Sequence, residues 1–149
     1  MRALIEKELA FSCGVIRDGH EITPRFAITT PEGDYTILCP LPDAHEVRIA
    51  RLELVSRFMA YRMATRFVFS TEIITPDAVT VIGVTRRSCL GGVRLIERKP
   101  FSFSATEWLE GVDQIGDEIP ALFPREVEEL SATHIAELES ASRLSHRVG

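Results

Sequence analysis

Two carboxylates and a lysine in this chain have the types and spacing to hold a divalent cation beside a phosphate. Asp77 follows Pro76 at the start of one β-rich run, and Glu97-Arg98-Lys99 closes the next. Magnesium is a hard ion that takes oxygen ligands, so Asp77 and Glu97 are the candidate metal ligands. A metal held there would stabilise charge on a phosphate and help make hydroxide from water. Lys99 would orient or activate that water. Side chains alternate along a strand, so Glu97 and Lys99 share a face with Val93 and Leu95. Glu46 or Glu53, on the preceding helix, could add a further carboxylate.

A helix followed by a three-strand meander bearing Asp and then Glu-x-Lys resembles the metal-dependent nucleases of the PD-(D/E)xK group. The resemblance covers roughly residues 43–99. It implies Mg-dependent cleavage of nucleic acid, with Asp77, Glu97 and Lys99 as the catalytic set. Two features oppose that reading. The strand that should follow the meander is not evident beyond residue 100, and a net charge of −5 works against tight binding of a polyanion.

Arginine supplies 15 of the 17 basic residues. Its planar fork suits phosphate and carboxylate. Arg48, Arg51 and Arg62 fall on one helix, and Arg86 and Arg87 on a turn, with Arg94 and Arg98 nearby. They are candidates for an anion-binding or nucleic-acid surface, or for a protein interface. The charge is also divided along the chain. Residues 1–43 carry 4 basic and 7 acidic side chains, residues 44–99 carry 10 and 5, and residues 100–149 carry 3 and 10. A basic middle beside an acidic end suggests an internal clasp or a surface for a charged partner.

Other chemistry is thin. Cys13, Cys39 and Cys89 are odd in number and far apart, which suits reduced thiols in the cytoplasm. No HExxH, CxxC or phosphate-loop pattern occurs. Cys39 with His45 is a conceivable thiol–imidazole pair. Otherwise His45, in the first helical turn, and His134 read as solvated surface histidines; His20 and His146 complete the set.

The elements that must position these groups follow from periodicity and punctuation. A weak helical pattern over 2–12 ends at Gly14. β-rich runs at 25–30 and 34–39 flank Pro31-Glu32-Gly33, the signature of a hairpin. Asp43 and Glu46 have capping-box spacing for a helix over 43–64. That helix has two apolar stripes: Val47, Leu54, Phe58 and Tyr61, then Leu52, Val55, Met59 and Met63. Its polar strip, Glu46, Glu53 and Arg57, is narrow, so contact from two sides is expected. Strands at 66–73, 78–85 and 92–98 have short links and should form an antiparallel meander. Ser104 and Glu107 have capping-box spacing for a short helix ending near Gly111. An apolar linker at 119–124 should dock on the body, and an acidic helix should span 125–142.

The expected fold class is α+β. A mostly antiparallel five-stranded sheet carries helices on one face, in the order αββαβββαα. One domain is expected over 1–149, with 101–149 as an acidic helical extension docked on it or projecting from it. No run approaches the ~20 apolar residues of a membrane span, and no secretory leader is evident, so no membrane partner is expected. The favoured function is a small cytoplasmic, non-enzymatic interaction or accessory protein. It would bind a protein partner or itself through helix 43–64 and the acidic C-terminal helix, with no cofactor. The alternatives are the Mg-dependent nuclease and an anion or nucleic-acid binding module.

Overall fold

The structure is a computed structural model that describes residues 1–124 and the backbone of 146–148. The helix expected over 125–142 lies outside the described residues. Helix α1 (Arg2–Arg17) leads into β1 (Arg25–Thr30) and β2 (Gly33–Leu38). Then come α2 (His45–Tyr61), β3 (Arg66–Ile73), β4 (Ala78–Thr85) and β5 (Cys89–Arg98). Beyond β5 lie β6 (Phe101–Phe103), β7 (Glu107–Glu110), α3 (Gly111–Ile115), a 3-10 turn (Pro120–Leu122) and β8 (His146–Val148). The strands form one antiparallel sheet in the order β6-β5-β4-β3-β1-β2-β8, and β7 also pairs with β5. This is the α+β class expected, with the five expected strands at its centre and three short ones added.

The hairpin forms where Pro31 and Glu32 punctuate the sequence. The Thr30 hydroxyl donates to the Gly33 carbonyl at 2.7 Å and accepts from the Glu32 amide at 3.2 Å. Gly33 takes φ +131°, a value open to glycine and costly for other residues.

The helices lie on opposite faces of the sheet, not on one. The reason is visible in β3 and β4. Phe67, Val68 and Phe69 are buried in succession, as are Val81, Ile82 and Val84 with Val79. A strand buried on both faces reads as a continuous apolar run, and each face then needs a cover. α1 covers Val68, Val79, Val81 and Ile96 with Ile5, Leu9, Cys13 and Ile16. α2 covers Phe26, Ile28, Phe67, Phe69, Ile82 and Val84 with Leu52, Val55, Phe58 and Met59. Each fully buried large side chain contributes about 1.5–3 kcal/mol, so both layers are needed for stability.

α1 runs through Gly14 to Arg17. Gly14 looks into open space and has an ordinary helical backbone, so it costs helix stability without stopping the helix. Glycines matter more beneath α1. A methyl group on Gly92 would stand 2.8 Å from Ile5 Cγ2 and 3.0 Å from Leu9 Cδ1. One on Gly83 would meet chiefly the end of Met1, a chain that can swing away. Gly92→Ala should therefore cost about 1–3 kcal/mol through overpacking, and Gly83→Ala clearly less. Urea unfolding of the two variants checks the order; equal losses would mean that α1 rides over both sites with room to spare.

Ala44 is the N-cap of α2, and no side chain caps the helix. The expected Asp43–Glu46 box does not form, because the helix starts one residue later than that box requires. Its end is a Schellman-type turn. Met63 has φ +56°, its amide reaches the Ala60 carbonyl at 3.2 Å, and the Ala64 amide reaches the Met59 carbonyl at 2.9 Å. The helix thus stops at Tyr61, short of residue 64. Ser104 caps nothing either. Its hydroxyl accepts the Leu95 amide at 2.8 Å and its own amide donates to the Leu95 carbonyl at 2.9 Å. Ser104 is a joint between β6 and β7 on the margin of β5, so Glu107–Glu110 is extended and the short helix starts at Gly111 rather than ending there. The apolar linker docks as expected. Ile119 and Phe123 are buried, and Ser56 donates to the Leu122 carbonyl at 2.7 Å. The ring of Phe123 stacks on Phe67 with centroids 6.2 Å apart.

Candidate functional site

The meander delivers Asp77 and Glu97 to adjacent strands, but it also delivers Arg98. Asp77 accepts from Arg98 through both carboxylate oxygens, at 2.8 and 3.1 Å. Arg98 also lies 3.5 Å from Glu72. The Arg98 hydrogen bond holds the Asp77 carboxyl below the usual carboxylate range, against the opposing effect of desolvation and with help from the Arg98 charge. Alternation along β5 turns Glu97 to the face opposite Arg98, so the two carboxylates are not gathered on one ion. A metal at Asp77 would have to displace a bidentate guanidinium. Lys99 stands exposed beyond the end of β5, and Glu46 and Glu53 are exposed on α2. Among the described residues, no group of three or more His, Cys, Asp or Glu side chains is placed to hold a metal. The residue between Glu97 and Lys99, passed over as a spacer in the Glu-x-Lys pattern, is the one that engages Asp77.

This pairing carries a pH signature. Asp77 has a depressed pKa in the folded state, so its contribution to stability is present above the ordinary carboxylate pKa. It is lost as pH falls through the lower folded value. Between about pH 5 and about pH 2, the native protein should lose more stability than Asp77→Asn does. Chemical unfolding of both across that range is the check; parallel curves would mean that the ion pair adds nothing in solution.

The arginines of the expected ridge are dispersed onto separate partners. Arg48 binds Glu118, an ion pair that links the basic middle of the chain to its acidic end. Arg51 donates to the Pro40 carbonyl. Arg62 reaches Glu32 at 3.4 Å and lies over Tyr35, Phe58 and Tyr61. Arg94 donates to the Ser104 carbonyl at 2.8 Å. Arg86 and Arg87 differ. They are the two central residues of the β4–β5 turn, are exposed, and have no carboxylate partner among the described residues. They border a depression of about 370 Å³ that also takes in Val84, Cys89, Val112 and Pro120. A second depression, of about 260 Å³, lies between α1 and the start of β1, beside Phe11, Ile22 and Arg25.

Arg25 also marks something the local pattern does not signal. It binds Glu8 of α1, and the two side chains are only 19% and 10% exposed. The guanidinium lies 4.2 Å from the Phe11 ring centre. Seventeen residues separate the partners, so nothing short of the tertiary fold brings them together.

The thiols offer no activated nucleophile. Burial pushes Cys13, Cys39 and Cys89 above the ordinary thiol range. At Cys39 this outweighs the nearby charges of Arg51 and Arg48. A catalytic thiol needs the opposite shift. The candidate pair of Cys39 with His45 has no hydrogen bond between its members among the described contacts. His134 and the side chain of His146 lie outside the described residues.

α2 presents the remaining feature. The sheet takes the middle of its apolar arc, Leu52, Val55 and Met59, and leaves both flanks in solvent. Val47 and Tyr61 on one flank, and Ile49 on the other, are 39% to 43% exposed. Among the described residues, no helix is long and apolar enough to cross a membrane. Comparison with the models of known protein families, with curated proteins and with solved structures finds no match for this chain.

Proposed function

We propose that this chain is a non-enzymatic interaction or accessory protein of the cytoplasm, binding a protein partner or a second copy of itself. It needs no cofactor for that role. The observation that supports this reading is the apolar arc of α2, which is wider than the sheet beneath it uses. Exposed apolar surface bordered by polar groups marks association sites. Here the exposed flanks lie on either side of the strip that carries Glu46 and Glu53. The three free cysteines suit a reducing compartment. The acidic residues of 125–142 would add charge complementarity to a basic partner.

Val47→Glu with Ile49→Glu tests the reading, because both positions are exposed and the fold should survive. Light scattering over a wide concentration range should show the native chain associating, or holding a partner recovered by affinity capture. The double variant should lose that association. A native chain that stays monomeric, with partner retention unaltered by the double substitution, would sink the proposal.

A further inference from the structure

The β4–β5 turn places two positive charges, with no carboxylate partner among the described residues, on the border of a depression, and the turn is built to keep them there. The Thr85 hydroxyl accepts the amides of Arg87 and Ser88 at 3.3 and 3.2 Å and meets the Ser88 hydroxyl at 3.0 Å. The Thr85 amide donates to the Ser88 carbonyl at 2.9 Å. A turn closed by its own side chain in this way is held without outside support. Adjacent like charges repel, yet no carboxylate among the described residues relieves Arg86 or Arg87. Arg2, Arg25, Arg48, Arg62 and Arg98 each have one. In a chain of net charge −5, two neighbouring exposed cations with no carboxylate among the described residues are open to an anionic ligand.

The depression is lined by groups of two kinds. Arg86, Arg87 and Ser88 bring donors to its lining, and Val84, Val112 and Pro120 bring apolar surface, together with Cys89. Its volume of about 370 Å³ falls in the range of small-molecule sites, which runs from about 300 to about 1,000 Å³. We propose that this depression binds a phosphate monoester that carries a small apolar body. Two guanidiniums match a dianion better than a monoanion, and guanidinium forks bind phosphate oxygens in pairs. The apolar body would lie against Val112 and Pro120. The site is separate from the flanks of α2 and does not depend on them.

Amide shifts of the full chain, recorded during titration with phenyl phosphate, test the proposal. Inorganic phosphate, benzoate and sodium chloride of equal ionic strength are the comparisons. The expected result is saturable movement of the Arg86, Arg87, Ser88 and Cys89 amides with phenyl phosphate. It should be at least several-fold tighter than with inorganic phosphate or benzoate. Arg86→Gln with Arg87→Gln should weaken it about tenfold or more, as loss of two charge-assisted contacts requires. Alkylation by iodoacetamide gives a second readout. Cys89 is partly exposed while Cys13 and Cys39 are buried, so phenyl phosphate should slow modification of Cys89 in the native chain and not in the double variant. Shifts that never saturate, that chloride reproduces or that survive the double substitution would overturn the site. Tighter binding of benzoate would overturn the phosphate assignment, and tighter binding of inorganic phosphate would overturn the apolar body.

Discussion

Phe67→Ala should destabilise the protein by about 3–5 kcal/mol. The side chain is fully buried near the start of β3. Across the ladders it lies beside Ile28 of β1 and Val84 of β4. Its ring centre is 5.8 Å from that of Phe26 and 6.2 Å from that of Phe123. Three separate parts of the chain therefore meet on one ring. Removing it leaves a void that β1 and β4 cannot close, because backbone hydrogen bonds hold both at fixed spacing. Total stability for a domain of this kind is about 5–15 kcal/mol, so the loss would be a large part of it. Phe123→Ala should cost less, since that ring comes from the segment after a 3-10 turn and not from a strand paired on both sides. Guanidinium unfolding monitored by far-ultraviolet dichroism gives both numbers. A loss under about 1.5 kcal/mol at Phe67 would show that the aromatic cluster is not the centre of this layer.

Glu8→Leu should be comparably damaging, for an electrostatic reason. The substitution leaves the Arg25 guanidinium enclosed beneath α1 without its counter-charge, at a cost of about 3–5 kcal/mol. The Nε atom of Arg25 is already buried without a hydrogen-bond partner, so the arginine has little in reserve. Replacing both residues, Glu8→Leu with Arg25→Met, should restore most of the loss or exceed the native stability, because two desolvated charges are exchanged for apolar packing. The double-mutant cycle isolates the pairing energy. If the double variant were as unstable as the single, the damage would come from lost packing against Phe11 and not from a stranded charge.

These two sites differ in how far local sequence announces them. The β-branched and aromatic run around Phe67 and the turn at Pro31-Glu32-Gly33 are short-range signals. The bounds of β3 and β4 accordingly agree with the pattern to the residue. Capping-box spacings were misleading at both places, because Ser104 and Asp43 obey tertiary demands instead: one joins strands, and the other precedes a helix that starts later. That α1 and α2 take opposite faces follows from burial on both sides of β3, a property that alternation within a single strand hides. The pairing of Asp77 with Arg98 needed the register of β4 against β5, where a shift of one residue would turn Arg98 away and bring Glu97 round. That no described carboxylate reaches Arg86 or Arg87 was invisible for the same reason, since it depends on what the fold brings to the β4–β5 turn.

The short strands β6, β7 and β8 have a consequence of their own. An open sheet exposes a row of unmet amides and carbonyls at each margin, a template on which other chains can polymerise. Here β6 and β7 share one margin along β5, and β8 lies along β2 at the other. Each is three or four residues long, enough to occupy the neighbouring groups and too little to offer a long template outward. Fibrous growth by strand addition is thereby discouraged, and any meeting between copies is directed to side-chain surfaces.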